Sequence, residues 1–397
     1  MDRPSTEQEL NELLTESRSA ASRRAAEQFS LQEADVLILY GAGTLGRTVL
    51  EKLRQVGIEP VAFADDTPEK QGQLIEGLPV MTPPAIAAKY CARAVFVVTI
   101  LNPMLRFVQA KHRLQQQTQA RVISFLNLAW KYPQAFLPYY QFELPQDVLA
   151  KAGDIRRAFH LFGDAESRRQ FVQHLRFRLL LDYEALPPNS GANYFPSDVS
   201  LGLTPDTTFV DCGAFDGDTI RCFLDHQGGR FREIFAFEPD EHNCQRLCQF
   251  VSTLEVEVAQ RIHIYNAGVG STQAKMSFQP TGNMNAAFSP KGEIEVEVLP
   301  LQEIVWTNGE LVYVKFDVEG AEWEALKGAE RLLRQARPLL AISIYHQPDD
   351  LWQLPLYVES LRLGYNFFMR TQGEDGMDVI CYAVPPRVGV NQGRRYL

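Results

Sequence analysis

The sequence predicts an α/β protein built from two doubly wound, Rossmann-like modules joined by a helical connector. Three observations carry that expectation. Apolar runs of strand length alternate with stretches of helical period, first over residues 31–127 and again over 196–397. A glycine-rich turn follows the first strand of each series at once, GAGTLG at 41–46 and GAFDG at 213–217. A length of 397 residues, at about 150 per domain, gives room for two or three cores.

In chain order, Leu10, Leu13, Leu14, Ala21, Ala25 and Phe29 recur near helical spacing, which predicts one amphipathic N-terminal helix within residues 1–30. Ser5 followed by Gln8 fits a capping box at its start. VLILY (36–40) reads as a buried strand, and a helix runs from Thr44 to Gly57, a natural stop. PVAFAD is a second strand, Thr82 and Pro83 open a helix, and AVFVVTI and RVISF are the third and fourth strands. A helical connector is expected over 128–195, with Asp164 as a helix cap and a proline- and glycine-rich boundary at Pro187–Gly191. Lys151, Arg156, Arg157, Arg168, Arg169, Arg176 and Arg178 fall in this connector and read first as a solvated face, second as a grip on an anion.

The second module should contain strands TTFVD, EIFAFE, RIHIY, LVYVKFD, PLLAISIY, NFFMR and DVICYAV. Its helices fit 219–226, 241–251, 321–335 and 351–363, and the strict alternation of EIEVEVL predicts a local antiparallel insertion within 274–299.

Composition narrows function. With 39 basic and 49 acidic residues the net charge is −10, unfavourable for gripping a phosphate backbone, so no nucleic-acid partner is expected. The N-terminal stretch has no apolar core, no apolar run reaches about 18 residues, and six cysteines are scattered rather than framed. A cytoplasmic, reduced protein without a membrane span is therefore expected. Cys244 and Cys248, one helical turn apart, lack a second pair that would complete a metal site.

The strongest motif is FVDCGAFDGDT. Gly213 and Gly217 allow a tight turn close to a ligand, and Asp211 at the strand end suits a cationic cofactor better than a pyrophosphate. Glu238 closes the next strand, where an acid can accept hydrogen bonds from ribose hydroxyls. Asp317 ends the strand of YVKFDVEGAEWEAL, followed by Glu319 and Glu322, and His346 ends the strand of AISIYHQPDDLW. First-turn acids also simply complement a helix dipole, which accounts well for Glu322, in part for Glu319 and hardly for Asp317.

Taken together and in order, FVDCGAFDGDT, FAFEPD, YNAGVG, VKFDVEGAEWEAL and ISIYHQPDDLW resemble the FkbM family of S-adenosylmethionine-dependent methyltransferases over about 190–385. The resemblance implies a class I methyltransferase fold and O-methylation of an alcohol on a sugar, glycan or related natural product. It implies that Asp211, Gly213 and Gly217 hold the methionine part of S-adenosyl-L-methionine, Glu238 the ribose, and Asn266 and Ala267 the adenine side. Asp317 and Glu319 would face the methyl group and the acceptor. Ala214 stands where many class I enzymes have glycine, a small change of contact.

The chemistry fits. The donor is already activated, so no metal is needed, and a base within reach of the acceptor hydroxyl is worth roughly 10²–10⁴-fold. His346, then Asp317, then Glu319 are the expected bases. A competing picture gathers Asp317, Glu319 and Glu322 around a divalent ion.

In the first module, Gly41, Gly43 and Gly46 form GxGxxG after a strand, and Asp65 lies about 20 residues on. Through GAGTLGRTVLEKL, FADDTPEKQG and GLPVMTP, residues 35–85 resemble the sugar-nucleotide-binding domain of bacterial amino-sugar acyltransferases, which implies a nucleotide-sugar ligand, with NAD as the runner-up. Two other readings remain at this level: a non-catalytic sugar-nucleotide sensor or scaffold with a degenerate methyltransferase module, and an NAD-dependent oxidoreductase. The latter lacks an evident catalytic pair near the first sheet.

Overall fold

A computed structural model of the chain describes residues 5–90, 93–101, 106–191, 193–279, 287–288, 292 and 294–386. The chain divides into two compact units. One comprises Met1–Gly153, Arg169–Asn189 and Gly373–Asp378, the other Asp154–Arg168, Ser190–Gln372 and Val379–Leu397. The expected connector is thus shared out between the two units.

The first unit holds strands β1 (Val36–Tyr40), β2 (Ala62–Ala64), β3 (Leu74–Ile75), β4 (Leu78–Met81), β5 (Ala94–Val98) and β6 (Arg121–Ser124). They form one sheet in the order β3-β4-β2-β1-β5-β6, parallel except for the β3–β4 hairpin. That hairpin turns through Glu76 and Gly77, both at positive φ (50° and 82°), the backbone of a tight two-residue turn. VLILY is apolar throughout because both faces are covered: Leu37 and Leu39 pack in one cluster, Ile38 and Tyr40 in another.

The N-terminal segment is two helices, not one: Thr6–Leu13 and Arg18–Glu27. Ser5 and Gln8 do form the capping box, but Ser17 takes an extended backbone and its hydroxyl accepts the Ala20 N–H, which starts the second helix. Apolar periodicity did not register this break, because the buried stripe resumes through Ala21 and Ala25.

The second unit holds β7 (Thr208–Cys212), β8 (Ile234–Phe237), β9 (Ile262–Tyr265), β10 (Gly268–Val269), β11 (Ala274–Gln279), β12 (Ala287–Phe288), β13 (Ile294–Leu299), β14 (Val312–Phe316), β15 (Leu339–Ser343), β16 (Asn366–Thr371) and β17 (Val379–Val384). The main sheet runs β16-β17-β15-β14-β7-β8-β9, with β17 antiparallel to both its neighbours. A small sheet, β10-β13-β11-β12, contains the expected antiparallel pairing of β11 with β13. The expected helix over 321–335 is broken into Glu322–Gly328 and Glu330–Ala336, with Ala329 at the joint. Asp164 caps its helix as expected, its carboxylate accepting the Ser167 N–H at 2.6 Å.

The chain winds outward from β7 through β8 to β9, then returns to place β14 on the other side of β7. The carboxyl ends of β7 and β14 therefore flank a topological switch point, where loops on neighbouring strands part and leave a crevice.

Candidate active site

The loop after β7 begins at Gly213, whose φ is +84°. A Cβ there would lie 1.9 Å from the Asp317 carbonyl oxygen, so the turns after β7 and β14 meet backbone to backbone and only glycine fits. Gly217, at φ +88°, opens the helix Asp218–Gln227. Between them Phe215 also lies at positive φ, 47°, and its N–H donates to Glu238 Oε2 at 2.8 Å. The other Glu238 oxygen accepts the Asp240 N–H at 2.9 Å. Burial pushes the Glu238 carboxyl up to about 7, against those two amides. Asn266 donates through Nδ2 to the Glu238 carbonyl at 2.9 Å, tying the loop after β9 to the end of β8. Asn266 also lines a cavity of about 410 Å³ with Glu241, Cys244, Gln245, Cys248 and Gln249; Ala267 is buried and is not in its lining.

Asp211 and Lys315 are partners in register on β7 and β14, and both are fully buried. Lys315 Nζ donates to Asp211 Oδ1 at 2.9 Å and to the Gly213 carbonyl at 2.8 Å, and lies 3.7 Å from Asp317 Oδ2. The second Asp211 oxygen, Oδ2, is buried without a hydrogen-bond partner. Burial raises the Asp211 carboxyl and Lys315 holds it down, leaving it at about 6. Burial alone would lower the Lys315 ammonium, but Asp211 and Asp317 outweigh it and raise it.

One strand further, Asp317 accepts hydrogen bonds from Tyr194 Oη at 2.8 Å and Ser343 Oγ at 2.7 Å. Its carboxyl lies below the usual range: burial opposes this, and the Lys315 and His346 charges prevail. His346 is packed with Nδ1 2.7 Å from Glu322 Oε1, and Nε2 3.7 Å from Asp317 and 3.8 Å from Glu319. Burial would strip its proton, yet Glu322, Glu319 and Asp317 together push it up to about 10, so the ring is an imidazolium at neutral pH. Glu319 sits at φ +52°, a strained backbone for a non-glycine residue at a strand-end loop.

The expected site residues thus converge on the carboxyl edge of one sheet. Glu322, accounted for in the sequence as a dipole-complementing acid, is instead completely buried. Besides His346 it accepts the Val318 N–H at 2.9 Å and the Gly320 N–H at 3.1 Å. Lys315, Tyr194 and Ser343 were not singled out from the sequence. A signal for Lys315 was present: one lysine inside the apolar strand VYVKF must find an anion when buried. Asp317, Glu322 and His346 each bring one oxygen or nitrogen within 4.8 Å of the others. This group differs from the expected Asp317, Glu319 and Glu322 set, with His346 in the place of Glu319.

In the first unit, Gly41, Gly43, Gly46 and Asp65 also come together. Gly46 packs directly on Gly41, since a Cβ would lie 1.9 Å from its carbonyl oxygen. Asp65 is engaged by the protein: Oδ2 accepts the Ala42 N–H at 2.8 Å and Lys70 Nζ at 3.0 Å, and Oδ1 accepts the Thr67 N–H at 2.9 Å. The basic run likewise meets acids within its own unit where partners are seen: Arg176 pairs with Asp182 at 2.7 Å and Arg157 with Asp154 at 2.7 Å.

Residues 211–369 match the family model of the methyltransferase FkbM domain. The whole chain is similar to the crystal structure of a methyltransferase FkbM from Methylobacillus flagellatus KT, at 22% identity and a TM-score of 0.75, covering 95% of this chain and 98% of that one. It is also similar, at 13% identity and a TM-score of 0.31, to an rRNA methylase from Streptococcus thermophilus, over 47% of this chain and 91% of that one. A UDP-D-quinovosamine 4-dehydrogenase from Vibrio fischeri matches 24% of this chain and 83% of its own at 24% identity, with a TM-score of 0.19. No curated protein sequence matches the chain. The matched residues run from within β7 to within β16 and so include Asp211, Glu238, Lys315, Asp317, Glu322 and His346. No helix among the described residues is long and apolar enough to cross a membrane.

Proposed function

We propose that the FkbM domain transfers a methyl group from S-adenosyl-L-methionine to a hydroxyl of a sugar, glycan or related natural product. One observation carries the reading: the buried Asp211 oxygen without a partner stands beside the Gly213–Gly217 turn and one strand away from the His346 cluster. A buried acceptor with no donor is costly unless a ligand completes it, and the α-ammonium of an amino acid is a donor of the right charge. Bound there, S-adenosyl-L-methionine would supply a methyl group already activated by its sulfonium.

The protein then has to hold and deprotonate an alcohol. Beyond the Phe215 and Asp240 amides and the Asn243 side chain that it already bonds, Glu238 keeps acceptor capacity for a ribose hydroxyl. The Asn266 side of the cavity fits the adenine. Glu322 fixes the His346 ring through Nδ1 and leaves Nε2 facing Asp317 and Glu319. A carboxylate on one nitrogen orients the other for proton transfer, the arrangement a general base requires. His346 is charged in the free protein, so it serves as base only after losing that proton, which puts activity on the alkaline side. Asp317 and Glu319 remain beside Nε2 to orient the acceptor.

Isothermal titration with S-adenosylhomocysteine tests the donor site. Wild type should bind at one site, and above pH 8, where the Glu238 carboxyl is ionised, Glu238→Ala should weaken it by roughly ten- to a hundredfold, the loss of hydrogen bonds to a charged acceptor. Unchanged affinity in a folded variant removes the ribose assignment. Incubation with methyl-labelled donor and a panel of nucleotide sugars and glycosides tests the acceptor class; label found only on amines or carbon would overturn O-methylation.

A further inference from the structure

We infer that Lys315 is a positioning residue for the donor, orienting Asp211 and anchoring the Gly213 turn from inside the sheet. The inference rests on the donor reading above. It goes further by locating the control of donor affinity in a residue that touches neither donor nor acceptor in that reading.

Geometry singles Lys315 out. Its ammonium is fully buried in the middle of the sheet and has three N–H donors. Two of them reach Asp211 Oδ1 at 2.9 Å and the Gly213 carbonyl at 2.8 Å. The third side faces Asp317 at 3.7 Å and the Tyr194 ring at 5.1 Å. One side chain therefore fixes the acid, the first residue of the turn, and the carboxylate on the far side of the crevice. With Oδ1 bound from within, Oδ2 is the oxygen left for a ligand.

Stability alone is a poor account of this arrangement. A buried ion pair gains little over apolar residues of similar volume, because desolvation offsets its attraction. What a lysine supplies here and an apolar residue cannot is a neighbour that keeps Asp211 anionic. The other groups facing Asp211 do not help. Asp218, from the helix after the turn, and Asp317 both oppose a negative charge. Cys212 and Tyr313 remain neutral, because burial raises the thiol and the phenol well above their usual ranges. Without Lys315, Asp211 should take up a proton at neutral pH and lose its attraction for an α-ammonium. Raising the pH should then ionise it again and restore binding.

The test is S-adenosylhomocysteine affinity between pH 7.0 and 8.5 for wild type, Lys315→Met, Asp211→Asn and the double variant, with thermal melts confirming folding. Wild type should change less than about twofold across this range. Lys315→Met should bind at least about tenfold more weakly at pH 7.0 and recover at least about fivefold by pH 8.5, since one proton can change affinity at most tenfold per pH unit. Asp211→Asn should bind weakly at every pH. In its background Lys315→Met should cost less than about threefold, because the lysine acts through the acid.

Wild-type affinity in folded Lys315→Met, or a loss that does not recover with pH, overturns the inference. If Lys315→Met does not fold, the double variant decides, since it removes both charges together. Affinity like that of Asp211→Asn supports the inference, and a further loss above tenfold overturns it. Failure of wild type to bind S-adenosylhomocysteine at all would instead bring down the donor reading itself.

Discussion

His346 should titrate far above an ordinary histidine. Three carboxylates surround it: Glu322 at 2.7 Å from Nδ1, Asp317 at 3.7 Å and Glu319 at 3.8 Å from Nε2. Together they overcome the burial that favours the neutral ring, and push it up to about 10. Replacing Glu319 with glutamine removes one of these charges and touches neither of the hydrogen bonds that hold Glu322 to the backbone. At 3.8 Å two unit charges interact by about 4 kcal/mol at an effective dielectric of 20. Glu319 is about a fifth exposed, and solvent screening should cut the effect to about 1.4 kcal/mol, one pH unit. The assay is a carbon–proton NMR titration of the seven histidines, with His346 assigned from its absence in His346→Gln. Its resonance should move at a midpoint above pH 8 in wild type and about one unit lower in Glu319→Gln. A midpoint at or below 6.5 refutes the electrostatic reasoning; an unmoved midpoint in the variant refutes the role given to Glu319.

The same linkage makes stability pH-dependent. A histidine raised in the folded state contributes fully below its unfolded value near 6.5 and loses that contribution as pH rises toward about 10; urea unfolding should show wild type losing stability over this window and His346→Gln losing less. Asp65 has the opposite sign. The Ala42 and Thr67 amides and Lys70 hold it down to about 2 against burial, so its contribution is present above 3.8 and vanishes as pH falls through about 2; the stability gap to Asp65→Asn should shrink in acid unfolding. Gly46→Ala should destabilise the first unit by more than about 3 kcal/mol, since its Cβ would strike the Gly41 carbonyl at 1.9 Å, whereas Gly43→Ala meets nothing within 4 Å and should stay within about 1 kcal/mol by thermal melt. Arg370→Met should cost about 1–3 kcal/mol, because the buried guanidinium donates to Asp164 at 2.7 Å and Asp198 at 2.8 Å, and water can take its place at these partly exposed carboxylates; a melt within one degree of wild type would show that the pairs contribute nothing.

What the sequence determined by itself is local. Strand-length apolar runs fixed the strands because a sheet covered on both faces needs apolar residues at every position, as VLILY shows. Glycines at strand ends marked the turns because no other residue tolerates positive φ with backbone at 1.9 Å, as at Gly213. Asp211, Glu238, Asp317 and His346 were legible because each lies at or a few residues beyond the carboxyl end of a strand, and the ends of parallel strands share an edge. Periodicity could not show the break at Ser17, since a cap is a single backbone rotation that leaves the apolar stripe intact.

Only the tertiary structure decided the charges. Whether Glu322 is a solvated helix acid or the buried partner of His346 depends on β15 lying beside β14, a neighbour fixed by pairing across the fold. Lys315 meets Asp211 because β14 returns to β7 past two other strands, at a separation of 104 residues. Electrostatics depends on distances of a few ångströms between groups far apart in the chain, and no local pattern encodes those distances.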